Sequence, residues 1–239
     1  MKPESHTAAA AALAPARVDL YAPIHKALRL FMNDTLQRLG SLDPADEAEL
    51  RPGLAQLASL LGVLRSHVKH ENEFMHPALE MRQPGASQRI ADEHVEHLAA
   101  IDALEAEAAT LAILPPAQRE PVALRLYRHL ALFIAENFQH MQIEETLHNQ
   151  RLWAAYRDDE LLALHGRLVA SIAPQEMDLV LHWMVPALSL MELGGMLLGM
   201  RTEMPPQAFD GVLELVSARV GANRWARLQQ LLAPSPAMA

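Results

Sequence analysis

Two stretches of the chain repeat one arrangement. HVKHENEFMHP, from His67 to Pro77, and HMQIEE, from His140 to Glu145, each set a histidine four residues before a glutamate. In a helix that spacing stacks imidazole and carboxylate on one face, a turn apart. Each pair also extends an apolar stripe. Leu57, Leu60, Leu61 and Leu64 lead into His67, and Leu126, Leu130, Phe133 and Asn137 lead into His140. The stripe faces a core, so the fold must give these ionisable groups partners there, because a buried charge without one costs several kcal/mol, order of magnitude. Each pair supplies half of a metal site, and two facing helices bring the halves together.

Composition narrows the chemistry. Hydrophobic residues make up 51% of the chain and aromatics only 5%, with alanine and leucine dominant, which favours helices over sheets. Cysteine is absent, so disulfides, thiolate nucleophiles, iron–sulfur clusters and cysteine-ligated zinc are excluded. Any metal must be held by histidine, carboxylate or backbone. The net charge of -9 argues against nucleic acid or an anionic membrane as partner. Twelve histidines is a high count, and most lie between His25 and His148.

Periodicity predicts an all-α protein. A first helix runs from Arg17 or Asp19 to about Arg38, carrying His25 on the stripe of Tyr21, Leu28 and Met32. A second starts with Asp43 as its cap and Pro44 at the first helical position, and continues to about Pro77. After a loop at 83–86, a third spans about 87–113 and turns His94, His97, Ile101 and Leu104 inward. A fourth runs from about Pro121 past Trp153, its stripe continuing through Glu144 to Leu147 and Arg151. Short connections make an antiparallel up-down four-helix bundle the natural packing, followed by additional C-terminal helices at 158–171, 175–201, 206–220 and 222–232. The window from Leu179 to Met200 is strongly apolar, but His182, Pro186, Glu192 and Gly194-Gly195 interrupt it. It reads as a buried helix and not as a membrane span. The expected division is a disordered tail at 1–17, a metal-binding bundle at 18–155 and a helical extension at 156–239. That extension either packs on the bundle or forms an interface with a second copy or another protein.

All four bundle helices contribute to one constellation: His25, then His67 and Glu71, then His94 with His97, then His140 and Glu144. Five imidazoles and two carboxylates suit a dinuclear site with a coordination position left open. Imidazole with bridging carboxylate and no sulfur points first to two non-haem iron ions, with zinc or manganese as substitutes. His94 and His97 are three residues apart, and helical phase ranks His94 ahead. Glu93, Glu96 and Glu145 are expected on the solvated side, and His70, His76 and His148 at the surface.

These motifs resemble the hemerythrin-like (HHE cation-binding) family. The likeness covers about residues 18–155 and is carried by Ile24-His25-Lys26, the ENEF within His67–Pro77, and HMQIEE. The resemblance implies a four-helix bundle holding a diiron centre, with His25, His67 and His140 as terminal imidazole ligands and Glu71 and Glu144 as bridging carboxylates. Two departures separate the chain from the oxygen carriers. Its third-helix histidines are three apart instead of four, and its fourth helix carries HxxxE in place of HxxxxD, which points away from reversible oxygen carriage. The expectation is a cytoplasmic protein that binds or senses dioxygen, nitric oxide or peroxide, or serves iron and redox homeostasis. Two other readings stay open: a helical interaction module with a structural or regulatory metal, and a diiron redox enzyme of peroxidase or ferroxidase type.

Overall fold

The computed structural model describes residues 17–233, and among these every regular element is helical. Helix α1 is Ala22–Ser41. Helix α2 is one rod made of Glu47–His70, a π turn at Glu71–Met75, and His76–Arg82. Helix α3 is Gln88–Ile113. Helix α4 repeats the construction of α2: Arg119–Ile143, a π turn at Glu144–His148, and Asn149–Ala155. Each of these four packs on its sequence neighbour and α4 closes on α1, the ring of an up-down bundle. The C-terminal helices are α5 (Asp158–Ser171), α6 (Pro174–Ala187), α7 (Leu190–Glu203), α8 (Pro206–Val220) and α9 (Ala222–Leu232).

Local chemistry sets the boundaries and moves several from where periodicity put them. Asp19 accepts hydrogen bonds from the backbone of Tyr21 and Ala22, so α1 begins just beyond it, with Pro23 in its first turn. The cap of α2 is Asp46, bonded to Ala48 N, and not Asp43. Asp43 instead closes the turn before it by accepting from Ala45 N. The helix expected at 175–201 is two, because Ser189 and Glu192 form a capping box that starts α7 shortly after Pro186. Gly221 joins α8 to α9 with φ of 71°, a backbone region that side chains disfavour. The disordered tail expected at 1–17 lies outside the described residues except for Arg17. Its guanidinium reaches Asp158 and the carbonyls of Trp153 and Tyr156.

The interior is three apolar clusters. The largest fills the bundle from Leu28 and Leu64 to Ile101 and Phe133. It also takes in Trp183 of α6, whose ring stacks on Phe31 at 4.2 Å between centroids. A second joins Tyr21, Met75, Leu79 and Leu152 to Leu161 and Leu164 of α5. The third belongs to α6–α9 alone and includes Val185, Leu193, Leu197, Phe209, Val216 and Leu228. Along α1, α2 and α4 the first two clusters lie on either side of one polar layer. That layer is where the repeated motifs sit.

Candidate metal centre

Each bundle helix delivers at least one ionisable side chain to the layer. His25, Glu71, His94, His140 and Glu144 are buried, and His67 is nearly so. Their atoms form two sets within 4.8 Å: His25, His67, Glu71 and Glu144, and then Glu71, His94, His140 and Glu144. Both carboxylates belong to both sets. His25 Nε2 lies 3.7 Å from Glu71 Oε1 and 3.5 Å from Glu144 Oε2, and His67 Nε2 lies 3.2 Å from Glu71 Oε1. On the other side His94 Nε2 is 3.3 Å from Glu71 Oε2, and His140 Nε2 is 3.3 Å from Glu144 Oε1. Ligands about 2.1 Å from one ion at right angles stand ~3 Å apart, so these separations have the scale of a coordination shell.

The outer faces of the imidazoles fix their orientation. His25 Nδ1 donates to Glu145 Oε1 at 3.0 Å, His140 Nδ1 to Glu93 Oε2 at 2.9 Å, and His94 Nδ1 to Asn72 Oδ1 at 2.8 Å. With Nδ1 carrying the proton, each Nε2 presents its lone pair to the interior, the arrangement that prepares histidine to bind a metal. The consequence is sharpest between His94 and His140, whose Nε2 atoms lie 3.1 Å apart. Two lone pairs at that distance repel unless a proton or a cation comes between them.

The carboxylates carry the same demand. None of the oxygens of Glu71 and Glu144 makes a well-directed hydrogen bond, although all are buried. Burial works against charge on Glu71, but His67, His25 and His94 prevail and hold it well below the usual carboxylate range. Burial and the charge of Glu71 push Glu144 up. Burial lowers His25, yet its hydrogen bond to Glu145 and the negative charge of Glu71 and Glu144 close by outweigh it and raise this imidazole to about 9. Burial likewise lowers His140, and Glu144, Glu71 and Glu93 raise it to about 9. His67 lacks such help, and burial takes it down to about 3. Without a metal, then, protons on His25 and His140 counter the carboxylates. Cations in their place satisfy the orphaned oxygens and nitrogens together, so the residues present fit a metal pair.

The structure brings together all the predicted residues except His97. That side chain is buried beside His140, 4.6 Å between ring centroids, but outside both donor sets. Three expectations about neighbouring residues are corrected. Glu93 and Glu145, expected in solvent, turn inward to hold His140 and His25. His70, His76 and His148, expected at the surface, are all buried. In α4 the stripe moves from Leu147 and Arg151 to His148 and Leu152, because the π turn inserts one residue and advances the phase. In α2 the π turn is marked by a bond from His76 N to Glu71 O, and Pro77 follows it with no N–H to offer the ladder. The proline was a visible signal for that irregularity. In α4 the corresponding cue is Thr146, whose Oγ1 bonds back to Gln142 O.

A family model for the hemerythrin HHE cation-binding domain matches residues 17–165, more than half of the chain. A search of curated proteins returned no match, and neither did a search of solved structures. The matched span takes in the whole bundle, its polar layer and most of α5. The chain belongs to the hemerythrin HHE cation-binding family.

Proposed function

We propose that the polar layer holds two non-haem iron ions and that the pair binds a small ligand such as dioxygen, nitric oxide or peroxide. One observation carries this reading: two buried imidazole–carboxylate sets share both Glu71 and Glu144. His25 and His67 would hold one ion and His94 and His140 the other, with Glu71 and Glu144 shared between the two sets. A bound iron pair supplies redox chemistry between ferrous and ferric states. The chain supplies four oriented imidazoles, carboxylates that hold the ions close, and apolar clusters above and below that keep bulk water out. Two imidazoles and two shared carboxylates for each ion are fewer donors than a six-coordinate iron would take, which would leave room for an exogenous ligand.

The residues outside the layer tune it. Glu145, itself bonded to Arg29 at 2.5 Å, and Glu93 place negative charge behind His25 and His140, which strengthens both as donors. Among the described residues no helix is long and apolar enough to cross a membrane. The test is the absorption spectrum of iron-loaded protein in air, followed by addition of azide or nitric oxide. Charge-transfer bands of a coupled ferric pair that shift with azide support the reading. A spectrum without such bands, or one indifferent to both ligands, contradicts it.

A further inference from the structure

A third group of donors converges on the layer from the side of α5. His76, His148 and Glu144 have ligand atoms within 4.8 Å of one another. Both imidazoles are buried, at 7% and 1% exposure. The π turns put them there: each adds a residue just after a carboxylate, and the next histidine comes round to face the site. His76 Nε2 is buried with no hydrogen-bond partner, as are both oxygens of Glu144. His148 is steadied by the Tyr21 hydroxyl, 3.4 Å from its Nδ1.

Ring geometry separates this group from the pair. An ion bound to imidazole lies in the plane of the ring. His76 and His94 are stacked at 4.9 Å with planes only 10° apart, so no ion can lie in both planes. His76 and His148 stand at 87°, 6.0 Å between centroids, and their planes intersect. His76 therefore serves a different centre from His94, and His148 is the imidazole placed to serve it too.

We propose that His76, His148 and Glu144 form a third cation seat adjoining the pair, suited to a divalent first-row ion such as zinc or ferrous iron. Two histidines and one carboxylate with open positions are a donor set both ions accept. The seat shares Glu144 and so rests on the paired-metal reading. Repulsion from two neighbouring cations makes it the weakest of the three and the last to fill.

Titration of metal-free protein with cobalt(II) tests the seat, with bound metal counted by equilibrium dialysis and coordination followed by d–d absorption. The wild type takes up three equivalents, the last about tenfold or more weaker because of that repulsion. A His76→Gln, His148→Gln double variant takes up two, at unchanged affinity. Circular dichroism holds the variant to the wild-type helical content, and if the double variant falls short, each single variant is read the same way. Two equivalents in both proteins, or three in both, overturn the third seat and leave the pair standing. Fewer than two in the wild type overturn the pair itself and the shared seat with it.

Discussion

The two parts of the molecule solve burial differently. The bundle places a polar layer between two apolar clusters and leaves its carboxylate oxygens without hydrogen-bond partners. The C-terminal helices α6–α9 bury only leucine, valine, phenylalanine and similar side chains around Val185, Leu197 and Val216. An apolar cluster is stabilising as it stands. A layer of partly protonated imidazoles and orphaned carboxylates is costly until a cation enters, and the binding free energy of that cation then becomes folding free energy. Stability of the bundle should therefore follow metal, and that of the C-terminal cluster should not.

Removing a shared carboxylate breaks the comparison most severely. Glu144→Ala takes one bridge from both ions and should abolish stable metal binding, read as metal content after desalting. Full occupancy in this variant would refute the assignment of Glu144. A second change acts at the seam where α6 packs on the bundle. Trp183→Ala removes the ring that stacks on Phe31 and should cost about 2–3 kcal/mol, below the range for a fully buried tryptophan because the residue is partly exposed. Denaturant unfolding measures the loss, while metal content should stay at the wild-type value. A parallel loss of metal would mean that α6 helps to shape the layer.

A smaller effect sharpens the role of the outer carboxylates. Glu93→Gln keeps an acceptor for His140 but removes its charge, and metal affinity should fall roughly 10-fold, within the range seen for such partners. Competition with a chelator of known affinity reads the change, and an unaltered affinity would show that Glu93 merely fills space.

Acidity acts with two opposed signs. Raised to about 9, His25 and His140 stabilise the metal-free fold fully below pH 6.5, and that contribution is lost as pH rises through 9. Burial lowers His76, His97 and His148 to about 4 and His67 to about 3. Their contribution is present above pH 6.5 and is lost as pH falls through those values. Metal-free protein should thus be most stable near pH 6.5, with denaturant midpoints falling on both sides. Loaded protein should gain stability as pH rises from acid, because metal must displace protons from His25 and His140. A metal-free protein whose midpoint rises steadily to pH 9 would contradict the assigned protonation of these two residues.

Much of the bundle was legible because its stripes keep the helical period from Leu57 to His67 and from Leu126 to His140. The repeated His–Glu spacing then marked where those stripes turn polar. What stayed hidden lies at and beyond the π turns. A reading at 3.6 residues per turn carries Leu147 inward and leaves His148 outside, and the inserted residue reverses that. The inward turn of Glu93 and Glu145 was equally hidden. Each adjoins a motif residue in sequence and looks solvated by helical phase, and only the position of a histidine on another helix reveals what it holds. The break at Ser189 was readable, since Ser189 and Glu192 spell a capping box, but the apolar run around them masked it.

Iron content of folded, reconstituted and desalted protein bears most directly on the paired site. Two tightly held irons per chain are predicted, with the third and weaker seat emptied by desalting. One iron, or none, in a chain with full helical content would contradict a centre built on shared Glu71 and Glu144.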